Sequence, residues 1–136
     1  MPRVALKILL TAMTLYYVYV PAMADIGDSH LHSDEWSDHA RVHLVWFLVF
    51  TALVGLIGVV VMWWKDAPIV AAMIGLGFNG AFLIAGALAS SYDGVISDGD
   101  GVPIQVIEFG FLAVLFAAAL VYLGMRERTA PTALAV

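Results

Sequence analysis

Four long apolar stretches dominate the chain: residues 8–24, 44–64, 68–89 and 106–125, which together contain a single charged side chain, Glu108. An α-helix needs about 20 residues, with a range of about 17–25, to cross the hydrocarbon layer of a bilayer. A chain of 136 residues has room for one small domain. Its interior cannot take in this much apolar surface. Only 12% of the residues are charged, where a water-soluble domain carries about 25%. A soluble globule, a nucleic-acid binder and a disordered tail are thereby excluded. Lipid offers no partner to an unpaired backbone amide, and so short a chain cannot close a barrel from such long runs, so the stretches must be helices. The expectation is one all-α domain over residues 1–136: an integral membrane four-helix bundle, with helices near 4–24, 36–64, 68–90 and 104–126.

The first stretch has two readings. Arg3 and Lys7 precede an apolar run that ends at Pro21 and Ala22-Met23-Ala24, the small-x-small form of a signal-peptidase site. Cleavage there would leave three helices. Retention is favoured by a run long enough to span, and by Tyr16, Tyr17 and Tyr19 near its far end, where interfacial aromatics sit.

Orientation follows from the basic residues. With the amino terminus in the cytoplasm, Arg3, Lys7, Lys65, Arg126 and Arg128 lie inside and only Arg41 outside, as the positive-inside rule requires. The acids divide the other way. Asp25, Asp28, Asp34, Glu35, Asp38, Asp93, Asp98 and Asp100 fall outside, Asp66 and Glu127 inside. A plasma or inner membrane with an extracytoplasmic His-rich loop, and with both termini cytoplasmic if the first helix is retained, is the expected location. Trp63 and Trp64 fit an inner aromatic belt, and the short link Lys65-Asp66-Ala67 forces the second and third helices into a hairpin that opens on Pro68.

Gly77, Ala81, Ala85 and Ala89 recur at four-residue spacing on the third helix. Such a small-residue stripe lets a second helix backbone approach closely. Packing within the bundle is the favoured use, a homo-oligomer or membrane-protein interface the other. Thr51 with Gly55 and Ala113 with Ala117 offer shorter versions. Asn79, in mid-helix, is expected to hydrogen-bond between helices rather than to contact a ligand.

All four histidines, His30, His32, His39 and His43, precede or open the second helix. Ser33 or Ser37 can cap a helix there. His39 and His43, at i and i+4, then share a face, with Trp36 and Trp46 continuing it and Arg41 elsewhere. Two imidazoles at that spacing can grip one divalent metal ion. HARVH lacks the glutamate of a zinc protease, so a third ligand would have to come from His30, His32 or Glu108. The plainer reading is interfacial histidines hydrogen-bonded to the acids around them.

Glu108 is costly within a membrane unless it pairs or reaches water, and such a residue marks a functional site by default. Its expected partners are His43 and His39, at similar depth; simple snorkelling to water is the competing reading. Asp98-Gly99-Asp100-Gly101 resembles a calcium-loop fragment, but Val102 and Phe109 occupy the fifth and twelfth positions, so a solvated turn is expected.

The segment Asp28-Ser29-His30, Trp36, His39-Ala40-Arg41-Val42-His43 and Trp46 resembles a signature of small four-helix membrane proteins that have no assigned activity. In that signature a Thr/Ser-His step and a Trp-Pro-Pro-like step precede His-Ala-Arg-Phe-His. Here Ser37-Asp38 replaces the prolines and Val42 the aromatic. The likeness covers residues 28–46 and implies a four-helix fold with an outer-face His/Arg/Trp cluster, and no reaction.

Two functions are compatible with this reading. The first is a non-enzymatic bundle that binds a lipid-like molecule or a membrane-protein partner through Trp36, His39, Arg41, His43 and Glu108, with Asn79 deeper. The second is a membrane enzyme that uses His39, His43 and Glu108 as metal ligands or acid–base groups on an apolar substrate. An ion pathway is disfavoured, because polar residues do not continue through the inner halves of the helices.

Overall fold

The structure is a computed structural model that describes residues 1–28, 30–96 and 102–129. It consists of α1 (Arg3–Asp25), α2 (Asp38–Trp64), α3 (Pro68–Ala87) and α4 (Ile104–Thr129), with a short 3-10 turn at Ala89–Tyr92 after α3. No strand occurs among the described residues. The helices run 23, 27, 20 and 26 residues. At about 1.5 Å per residue, each reaches about 30 Å or more, and all four are long and apolar enough to cross a membrane. The all-α membrane bundle read from the sequence is the fold.

Local chemistry sets the boundaries. The Ser37 hydroxyl accepts a hydrogen bond from the Ala40 N–H at 3.2 Å, so α2 begins at Asp38, two residues later than the periodicity predicted. Pro68 opens α3, where its missing N–H costs nothing. Asp66, with φ 53°, turns the chain sharply between α2 and α3. Pro21 lies inside α1, in its last two turns, and removes the hydrogen bond its nitrogen would have given to the Tyr17 carbonyl. The Asp98–Gly101 turn lies outside the described residues.

The bundle is asymmetric. α3 packs most closely against α4, then against α2, while α1 lies on both α2 and α3 and touches α4 least. α2 and α4 occupy opposite corners, with no Cα of one within 8 Å of a Cα of the other among the described residues. The core joins Leu6, Leu10, Met13 and Tyr17 of α1 to Met62 of α2, Ala71 and Ala72 of α3, and Leu112, Phe116, Ala119 and Leu123 of α4. Phe116 is fully buried over Gly75, where a Cβ would lie 2.3 Å from its ring. Tyr17 stacks on Phe78 at 4.8 Å and meets the edge of Phe116 at 5.9 Å. Outside this core, Leu53, Leu56, Ile57, Phe111, Val114 and Val121 are exposed, a surface made for lipid and not for water.

The small-residue stripe does not serve the bundle. Gly77, Ala81 and Ala85 face outward, and a Cβ added to Gly77 would meet nothing within 4 Å. The inward face of α3 is Pro68, Ala71, Ala72, Gly75 and Asn79 instead. Two residues along a helix is a rotation of about 200°, so the run through Gly75 and the run through Gly77 lie on opposite sides. On α2 the small face does pack inward: Thr51, Gly55 and Gly58 are buried.

Candidate functional site

The end of the bundle carrying α2's first turn contains the histidines. His39 and His43 point at each other, with Nε2 atoms 3.0 Å apart and rings inclined at 80°. Both are exposed. Trp46 lies 6.3 Å beyond His43. Trp36 precedes α2 and does not continue the helical stripe; it meets His30 edge-on at 5.6 Å. Among the described residues no three His, Asp or Glu side chains group as a metal centre, so His30 does not join the pair.

Arg41 acts on its own chain. Its Nη2 donates to the Ser33 carbonyl at 2.8 Å and its Nη1 lies 3.5 Å from Asp38 Oδ1. The guanidinium therefore ties the segment before α2 to the helix that follows it.

Glu108 stands elsewhere. α4 lies diagonally across from α2, so the expected pairing with His39 or His43 does not form. The Tyr16 hydroxyl of α1 donates to Glu108 Oε1 at 3.2 Å instead. Below this pair a groove of about 390 Å³ opens between α1 and α4, lined by Ala12, Met13, Phe111, Leu112 and Leu115, with Tyr16 and Glu108 at its polar end. The groove lies between α1 and α4, the pair of touching helices that approach each other least. Tyr16 stands out in the sequence only as an interfacial aromatic. Its partnership with Glu108 depends on which helices are neighbours, which residue spacing does not encode.

Asn79 is fully buried, but its amide donates to the Gly75 carbonyl of its own helix at 2.7 Å and not to a second helix. Its Oδ1 has no hydrogen-bond partner among the described residues.

At the opposite end, the structure assembles a polar cluster whose members lie far apart in the sequence. Asp66 binds both Arg3, at 2.9 Å, and Lys7, whose side chain is only 10% exposed. Arg3 also donates to the Asp66 carbonyl at 2.6 Å. Trp63 donates to Thr11 at 3.0 Å and lies under the Lys7 ammonium at 5.3 Å. The Lys7 hydrogen bond, with Arg3 beside it, holds the Asp66 carboxyl below the ordinary carboxylate range. This cluster pins α1 to the α2–α3 hairpin.

Comparison with protein-family models, curated proteins and solved structures gives no match.

Proposed function

We propose that this protein binds a single-chain amphiphile drawn from the bilayer in the groove between α1 and α4, without catalysing a reaction. One observation carries the reading: the groove is apolar along its length and ends at a hydrogen-bonded Tyr16–Glu108 pair. Ligand sites of this kind are mostly apolar, with a few polar groups that fix orientation. An acyl chain fits the walls of Ala12, Met13, Phe111, Leu112 and Leu115. The polar end favours a head group that donates hydrogen bonds, an amine or a hydroxyl, because a carboxyl group has about four acceptor positions and Tyr16 uses one. A carboxylate head would meet Glu108 as a second acceptor.

The enzyme reading needs His39, His43 and Glu108 together, and among the described residues no three such side chains group as a metal centre, while Glu108 is held by Tyr16. A binding site through Trp36, His39, Arg41, His43 and Glu108 would likewise span α2 and α4; the groove reading needs only α1 and α4. The basic excess around Arg3, Lys7, Lys65, Arg126 and Arg128 orients that end to the cytoplasm and the histidines to the extracytoplasmic side of a plasma or inner membrane.

Native mass spectrometry of the detergent-released protein tests this directly, with hexadecylamine and palmitate as probes of equal chain length. The amine is expected to be retained preferentially, and Glu108→Gln to reduce that preference. Equal retention of both probes, or an unchanged preference in Glu108→Gln, would contradict the proposal.

A further inference from the structure

His39 and His43 belong to no part of the α1–α4 groove, and their geometry is that of a chelate. Their Nε2 atoms face each other 3.0 Å apart. Two donors at that separation, each about 2.0–2.1 Å from one ion, subtend about 95° at the ion. Tetrahedral coordination at the same bond lengths would hold the two nitrogens about 3.3 Å apart. The 3.0 Å separation is that of a hydrogen bond between the two rings, and a small rotation of either exposed side chain brings both nitrogens onto one ion. Imidazole nitrogens in tetragonal geometry are the preference of Cu(II), which also leads the divalent affinity order.

The surroundings agree with a solvent-facing site. Both rings are exposed, and the helix that spaces them is fixed at its start by the Ser37 cap. Arg41, the nearest cation in sequence, is held by the Ser33 carbonyl and Asp38 on another side. No third His, Asp or Glu completes a group of three among the described residues, and both rings face outward from the bundle.

From this geometry we infer that His39 and His43 form a two-histidine site for a cupric ion at the end of α2, with water as the other ligands. Both imidazoles then carry their proton on Nδ1 and offer Nε2 to the metal. Binding is exchangeable, as suits two protein ligands and open positions.

The test uses the full chain without a histidine tag, stripped with a chelator in detergent at pH 7.5 and titrated with copper(II) chloride. Electron paramagnetic resonance should show about one tetragonal copper per chain with nitrogen hyperfine structure. Tryptophan emission should fall, since Trp46 lies 6.3 Å from His43. His39→Ala and His43→Ala should each weaken the apparent Kd at least about tenfold, while the His30→Ala/His32→Ala variant keeps wild-type binding; zinc should displace copper only in about tenfold excess or more. Circular dichroism verifies that each variant keeps its helices. Unchanged copper binding in His39→Ala and His43→Ala, loss of it in His30→Ala/His32→Ala, or stoichiometric displacement by zinc would each overturn the assignment.

Discussion

Adding one methyl group to α3 should have opposite consequences at Gly75 and Gly77. A Cβ on Gly75 would lie 2.3 Å from both Cε1 and Cζ of Phe116 and 2.6 Å from its Cδ1. Carbon atoms in contact rest about 3.5–4.0 Å apart, so the overlap is about an ångström at three atoms. The ring has nowhere easy to go: Phe116 is fully buried and packs against Tyr17, which is stacked on Phe78. Overpacking of this kind costs about 1–3 kcal/mol, against at most about 1 kcal/mol gained in helix propensity. Gly75→Ala should therefore lose up to about 2 kcal/mol net. At Gly77 a Cβ meets nothing within 4 Å, so Gly77→Ala should be neutral or stabilise by up to about 1 kcal/mol. Reversible unfolding in mixed micelles of increasing SDS fraction, followed by tryptophan emission, measures both. Phe116→Leu should relieve part of the Gly75→Ala loss, with a coupling of about 1 kcal/mol in the double-mutant cycle. If the two glycine variants have equal stability, or Gly77→Ala is the worse, the packing described for α3 and α4 is wrong.

Further outcomes follow from the two ends of the bundle. Because the folded Asp66 carboxyl titrates below its ordinary value, its contribution is fully present above the unfolded carboxyl pKa. That contribution is lost as pH falls through the lower folded value. Acid unfolding of the wild type should show this component and Asp66→Asn should lack it. Asp66→Asn should also be less stable than Lys7→Met, since it strands a buried ammonium whereas the methionine leaves an exposed acid beside Arg3. Ser37→Ala should weaken the start of α2 by about 1 kcal/mol, seen as about fivefold faster hydrogen exchange at the Ala40 amide. A chain starting at Asp25 would lack Leu6, Leu10, Met13 and Tyr17 from the core, and should unfold at a lower SDS fraction than the full chain.

What the sequence makes legible here is the membrane and what it hides is the neighbourhood. Apolar run length dictates four helices, because lipid allows the backbone no other arrangement, and Ser37, Pro68 and Asp66 mark their ends by local chemistry. The rotation of each helix is another matter. α3 has small residues on both sides, so the conspicuous Gly77–Ala81–Ala85 series reads as the packing face while Gly75 receives Phe116. In a soluble protein the polar side would have decided between them; in lipid both faces are apolar. The diagonal placement of α2 and α4 is equally invisible in residue spacing, and it separates Glu108 from His39 and His43. The histidine pair is legible because i and i+4 lie on one helix. The Tyr16–Glu108 pair is not, because it depends on α1 and α4 standing side by side.

The groove itself is tested most directly by where a bound amphiphile becomes attached. A long-chain amine with a photoreactive group midway along its chain, illuminated with the protein in detergent and mapped by peptide mass spectrometry, should label Met13 and the Phe111–Leu115 turn of α4. Excess hexadecylamine should compete that labelling away, and Glu108→Gln should weaken it severalfold. Labelling spread evenly over the outward faces of α2 and α3, unaffected by the competitor or by the variant, would contradict the account.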